Sequence, residues 1–251
     1  MLQRLTETLH PRNVVSFVVK EAPLLVVLAI ISGLTLGFLQ LADEMVEGEM
    51  EAFDRSILML FRDPANPDTV IGPSWVHEMV RDITALGSFS LLGLLVLGVC
   101  AYLYLSRLHS AAVFVLVSVL GGTLLSTVLK MGYNRPRPDL TTMSEQFTAS
   151  FPSGHAMLSA VTFLTLGALL ARFAPTRPLQ ILSLVGALLL TLLVGFSRLY
   201  MGVHYPSDIL AGWCLGSAWA LLCSSVAFIL QRRGTVDQPT GQNEQGTSTT
   251  P

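Results

Sequence analysis

The sequence predicts an all-α fold: a six-transmembrane-helix bundle with short interfacial helices in the first segment outside the membrane. Three observations carry that prediction. Of the 251 residues, 51% are hydrophobic and only 13% charged, about half the charge of an ordinary soluble domain. The mean hydropathy is +0.60. Six stretches approach the roughly 20 apolar residues needed to cross a hydrocarbon core of about 30 Å.

These spans run over 22–41, 88–106, 110–131, 153–171, 179–196 and 208–230. The first is too long for a secretory signal core, and no small-x-small cleavage site separates Leu41 from the acids that follow, so it reads as a retained anchor. Residues 1–21 form a cytoplasmic N-terminal segment, 22–231 the membrane domain and 232–251 a tail. The tail is rich in Thr, Gln, Gly and Pro. It has too little apolar surface to offset chain entropy and is expected to be disordered.

Between spans one and two, Phe53, Ile57, Leu60 and Phe61 share one helical face, and Val76, Met79, Val80 and Ile83 repeat the pattern after Ser74, a candidate N-cap. Such a pair either lies in the membrane interface and shapes lipid access, or packs on the bundle as a structured loop. Gly33-x-x-x-Gly37 and Gly212-x-x-x-Gly216 read as close helix packing. Cys100, Cys214 and Cys223 sit inside apolar runs without metal-ligand or disulfide spacing, as small packing residues.

Charge sets the orientation. One set of loops and ends holds Arg4, Arg12, Lys20, Arg107, Arg172, Arg177, Arg232 and Arg233. The 42–87 segment has only Arg55, Arg62 and Arg81 against a run of acids from Asp43 to Asp82. The positive-inside rule then places both termini in the cytoplasm and 42–87 outside. The net charge of −2 offers no basic surface, and no nucleic acid partner is expected.

Lys130, Arg135, Arg137 and Arg198 break that rule by falling at the outer ends of spans three and five. Snorkelling explains one such cation more easily than four, and costly charges at membrane depth imply an anionic partner. Two more span starts arrive at the same level. Pro152-Ser153-Gly154-His155 opens span four with free amides at a helix N-terminus, and His204 to Asp208 opens span six. Cations and helix amides suit a phosphate dianion. A histidine with a carboxylate four residues on suits a nucleophile, and a second histidine an acid–base partner. No acidic cluster is available for a metal, so no metal and no cofactor are expected. His10, His77 and His109 lack such company.

These residues resemble the three-part signature of the type 2 phosphatidic acid phosphatase (PAP2) superfamily: K-x6-R-P, then P-S-G-H, then S-R-x5-H-x3-D. Here the parts are Lys130 to Arg137-Pro138, Pro152 to His155, and Ser197-Arg198 with His204 and Asp208. The resemblance implies that 22–231 is a PAP2-like membrane phosphatase domain, a metal-independent phosphoric-ester hydrolase without cofactor. It implies that His204 attacks phosphorus, Asp208 orients it, and His155 protonates the departing alcohol. It implies that Lys130, Arg137, Ser153, Gly154 and Arg198 bind the phosphoryl oxygens. Arg135 lies outside the signature, and either supports the site or headgroup or is structural.

The partners expected are a lipid phosphate substrate and the bilayer, in a bacterial inner membrane with the site facing outside. The substrate is either a glycerolipid phosphomonoester of the phosphatidate or phosphatidylglycerophosphate type, or a polyprenyl pyrophosphate such as the undecaprenyl carrier. An anionic-lipid transporter is disfavoured, because its charges would sit near the midplane on broken helices. The soluble acid phosphatases and haloperoxidases of the superfamily do not have six spans.

Overall fold

The computed structural model describes residues 11–140 and 148–232, with side chains described from residue 22 onward. Among them are α1 (Pro11–Glu47), α2 (Glu51–Met59), the antiparallel hairpin β1 (Arg62–Asp63) and β2 (Asn66–Val70), α3 (Ser74–Ala85), α4 (Phe89–Leu105), α5 (His109–Gly132), α6 (Gly154–Phe173), α7 (Arg177–Tyr200) and α8 (Pro206–Arg232). Nearly all the regular structure is helical.

The Ala22–Glu47 part of α1, and α5, α6, α7 and α8, are each long and apolar enough to cross a membrane. The expected second span is different. At 17 residues, α4 is at the short end of the range for a span, and it is bent by 49° from α3, which precedes it. The break falls at Leu86-Gly87-Ser88, where the Ser88 side chain caps α4 by accepting from the Leu91 amide at 3.2 Å. The disordered-tail expectation for 232–251 lies outside the described residues, except that Arg232 closes α8.

The hub is α6, which packs most extensively against α7 and α8. In lipid, helix association depends on close approach rather than on apolar burial, so small residues dominate the seam. A Cβ on Gly216 would stand 2.6 Å from the Met157 carbonyl oxygen, and one on Gly212 would stand 2.8 Å from that of Ser153. Only glycine permits this approach. Gly33, by contrast, has open space around it, and a Cβ on Gly37 would meet Cys214 Sγ of α8 at an ordinary 3.8 Å, so the first pair makes a looser contact than the second. Two indoles tie α8 to α7 and α5: Trp213 Nε1 donates to the Thr191 carbonyl at 3.2 Å, and Trp219 Nε1 to that of Ser118 at 2.8 Å. The outward faces carry exposed residues such as Leu97, Leu124, Leu182 and Val226, as lipid contact requires.

Two local expectations are corrected. α3 starts after Pro73, in extended conformation, and Ser74 is its first residue rather than its cap. Pro152 precedes the Ser153 N-cap of α6 instead of sitting in the first turn, a place that Pro206 does take in α8. The inward residues of α2 are Asp54 and Leu58, while Phe53 and Leu60 are exposed. A buried ion pair, described below, holds that side inward. The hairpin between α2 and α3 was not anticipated. It docks by Phe61 against Phe196 and Tyr200, with the Tyr200 hydroxyl donating to the Ile71 carbonyl at 2.5 Å.

Candidate active site

Four helix ends converge. α5 stops at Gly132 because Pro136 and Pro138 follow closely and cannot continue a helix. It leaves Lys130 in its last turn and Arg135 and Arg137 just beyond. α6 begins beside it, with Ser153 capping its own helix through the Ala156 amide at 3.5 Å. α7 ends with Arg198 in its last turn. The chain then turns at Gly202, whose φ of +68 suits glycine, and presents His204 before Pro206 starts α8. The Ser153 amide donates to the Asp208 carbonyl at 3.0 Å and so fastens the starts of α6 and α8 together.

His204 and Asp208 are buried, and a third residue, Ser150, joins them. The Ser150 hydroxyl donates to Asp208 Oδ2 at 2.5 Å and lies 3.2 Å from His204 Nδ1. A serine has one proton to give. With that proton on Asp208, Ser150 Oγ must accept from Nδ1–H. The direct Nδ1 to Oδ2 distance is 3.5 Å, so the carboxylate acts on the ring both through the hydroxyl and across space. This fixes the tautomer with the lone pair on Nε2. Arg137 Nη1 donates to that nitrogen at 3.2 Å. Burial pushes the His204 imidazole down to about 3, against an upward pull from Asp208, so the ring is neutral at ordinary pH.

The remaining cations are held around this pair by main-chain oxygens and hydroxyls. Arg137 also donates to the Val203 carbonyl at 3.0 Å, to the Thr148 carbonyl at 3.0 Å and to the Thr148 hydroxyl at 3.1 Å. Lys130 Nζ donates to the Ala149 carbonyl at 2.8 Å. Arg198 Nη1 donates to the Thr84 hydroxyl of α3 at 3.3 Å. His155 is half-buried, close enough to Lys130, Arg137, Arg198 and His204 to interact electrostatically, and its Cδ2 would lie 3.3 Å from a Cβ on Gly87. Lys130, Arg137, Ser153, Gly154, His155, Arg198, His204 and Asp208 are therefore gathered at one end of the bundle.

Arg135 lies on the other side of Asp208. It donates to Asp208 Oδ1 at 2.6 Å, to Ser207 Oγ at 2.8 Å and to Asp54 Oδ2 at 2.7 Å, and its guanidinium stacks 4.2 Å from the Tyr205 ring centroid. Asp54 is fully buried and also accepts from the Ser207 amide at 2.9 Å and hydroxyl at 2.6 Å. Sequence reasoning assigned no role to Asp54, Thr84, Thr148, Ser150 or Ser207. Thr148 and Ser150 stand just ahead of Pro152-Ser153-Gly154-His155, but Asp54 and Thr84 come from the segment before span two and leave no local signal.

The cluster sets four cations, Lys130, Arg135, Arg137 and Arg198, against two buried carboxylates, Asp54 and Asp208, both of which pair with Arg135. The formal excess of two positive charges matches a phosphate dianion. Among the described residues, no three His, Cys, Asp or Glu converge as a metal site would require.

The model of the PAP2 superfamily matches residues 111–232. Phosphatidylglycerophosphatase B of Bacillus subtilis (strain 168) is 30% identical over 188 residues, which is 73% of this chain and 87% of that protein. The crystal structure of the transmembrane PAP2 type phosphatidylglycerolphosphate phosphatase from Bacillus subtilis superposes with a TM-score of 0.71 at 29% identity, covering 80% of this chain and 98% of that one. An undecaprenyl-diphosphatase of Sulfolobus acidocaldarius is 40% identical over 68 residues, 27% of this chain and 29% of that protein. The chain belongs to the PAP2 superfamily. Within it, this is a multi-pass membrane phosphatase, a phosphoric-ester hydrolase.

Proposed function

We propose that the protein hydrolyses a glycerolipid phosphomonoester, of the phosphatidate or phosphatidylglycerophosphate type, through a phosphohistidine at His204. The observation that carries this reading is the relay from His204 Nδ1 through Ser150 to Asp208, which leaves the Nε2 lone pair, met by Arg137, as the nucleophile.

In the first half-reaction, Nε2 attacks phosphorus and the bond from phosphorus to the lipid oxygen breaks. The electron pair leaves on that oxygen, which takes a proton from His155. Asp208, through Ser150 and across space, offsets the positive charge that grows on the His204 ring. Lys130, Arg137 and Arg198, with the Gly154 amide at the start of α6 and Ser153, hold the equatorial oxygens, where charge is greatest in the transition state. Arg137 leaves Nε2 as it turns to the phosphate. In the second half, His155 removes a proton from water, the oxygen attacks phosphorus, and the bond to Nε2 breaks to release inorganic phosphate. The cations supply the charge stabilisation, so no metal ion is needed.

The site faces the outside of a bacterial inner membrane, with both termini in the cytoplasm, as the arginine and lysine distribution supports. The glycerolipid reading is supported by the long match to a phosphatidylglycerophosphatase. A polyprenyl pyrophosphate is the alternative, supported by the shorter match to an undecaprenyl-diphosphatase.

The test is phosphate release by the purified protein in detergent with EDTA. Phosphatidate, phosphatidylglycerophosphate and undecaprenyl pyrophosphate are compared, with His204→Asn as the blank. The expected result is His204-dependent release, fastest from a glycerolipid and unchanged by EDTA. A preference for the pyrophosphate replaces the substrate assignment, and a strict magnesium requirement overturns the metal-free mechanism.

A further inference from the structure

We infer that Asp54, on the helix that follows the first span, is a positioning residue for the catalytic Asp208 and acts through Arg135. The inference rests on the reaction given above. Its geometric basis is a closed chain of charge-assisted hydrogen bonds. Arg135 spans two carboxylates, with Nη1 on Asp208 Oδ1 at 2.6 Å and Nη2 on Asp54 Oδ2 at 2.7 Å. Asp54 Oδ1 accepts from the Ser207 amide at 2.9 Å, one residue before Asp208 on α8. Both carboxylates are fully buried and the guanidinium is 10% exposed, so little solvent screens them.

The chemistry assigns a purpose to the second carboxylate. Asp208 has two tasks that compete for its charge. Oδ2 serves Ser150 and His204, while Oδ1 is held by a guanidinium. An arginine paired with Asp208 alone would draw that carboxylate's charge away from the ring. It would also add a full positive charge, across Asp208, to the surroundings of an imidazole that becomes cationic as Nε2 attacks. Asp54 shares the guanidinium and cancels its charge locally, so Oδ1 is anchored while Asp208 keeps a net negative charge facing His204. The penalty for losing Asp54 falls on the transition state, where the ring is cationic, rather than on the resting complex with the phosphate dianion. An extra positive charge does not weaken binding of that dianion. The expected signature is a fall in kcat with KM unchanged or lowered.

The experiment is a double-mutant cycle on purified protein, with phosphatidate, phosphatidylglycerophosphate or undecaprenyl pyrophosphate as substrate, whichever of the three is turned over fastest. It compares wild type, Asp54→Asn, Arg135→Gln, the double variant and His204→Asn. Asp54→Asn is expected to lose about tenfold or more in kcat without a rise in KM, the scale of one uncompensated charge on the far side of the Asp208 carboxylate from the ring. The double variant should lie within about threefold of Arg135→Gln alone, because the two residues act as a unit. An Asp54→Asn enzyme with wild-type kcat, a rise in KM instead, or losses that multiply in the double variant would each overturn the assignment. If Asp54→Asn does not fold, the double variant carries the test, since it leaves neither partner buried as an unpaired charge. A kcat more than about threefold below Arg135→Gln then counts against the inference. Wild-type protein without His204-dependent release overturns both this inference and the proposed reaction, whereas an active wild type with an indifferent Asp54 removes only the inference.

Discussion

Ser150 shows how one hydroxyl sets the chemistry of the site. It accepts from the histidine and donates to the aspartate, at 3.2 and 2.5 Å. Replacing it with alanine leaves the direct 3.5 Å approach between His204 and Asp208 as the sole link, and the ring gains freedom to rotate. One lost hydrogen bond to a charged group is worth roughly 1.5–3 kcal/mol, so Ser150→Ala should lower kcat by about ten- to a hundredfold. Steady-state assays on folded, monodisperse protein check this, and a wild-type kcat would show that the direct contact suffices. The signature residues were legible in the sequence because the chemistry demands particular side chains at fixed spacing. Ser150 was not, because a serine two residues ahead of Pro152 looks like any loop serine until its partners are seen.

Helices meet with less tolerance than their sequences suggest. The α6–α8 seam brings Gly216 so near the Met157 carbonyl that one methyl group forces the helices apart. Gly216→Ala should therefore destabilise the protein by about 1–3 kcal/mol, a typical cost of overpacking, and should lower activity as α6 carries His155 away from Asp208. Gly33→Ala meets nothing within 4 Å and should be neutral. Thermal unfolding of both variants in detergent compares them, and equal midpoints would contradict the packing account. Both glycine pairs have the same spacing, so sequence reasoning could not separate them. What differs is the partner face: backbone and small residues of α6 meet Gly212 and Gly216, whereas Gly33 faces open space and Gly37 only the Cys214 side chain. The inward side of α2 was hidden for a similar reason. Its apolar stripe left open whether that face met the membrane or the bundle, and Asp54 is held inward by Arg135, which stands 81 residues away in the chain.

The whole molecule is a bundle whose extramembrane segment reaches back into the site. Asp54 from α2 meets Arg135, and Thr84 from α3 meets Arg198. Hydropathy and loop charge made the spans and their alternation legible, since bilayer thickness and charge asymmetry act on every residue. They did not reveal the hairpin or the bend before α4, which depend on contacts between distant segments. The orientation has its own test. A cysteine at Asp68, exposed in the hairpin, should react with an impermeant thiol reagent in intact cells, and one at Ser106, exposed at the opposite end, should not. The reverse pattern would turn the protein over.

The most direct measurement is chemical trapping of the intermediate. Purified protein is mixed with a phosphate-labelled lipid substrate, denatured within the first turnover, and the label is located by peptide mass analysis. A phosphohistidine at His204 predicts an acid-labile, base-stable phosphoryl group on that residue, absent from His204→Asn. Turnover without a labelled enzyme, or a label retained after that substitution, would contradict it.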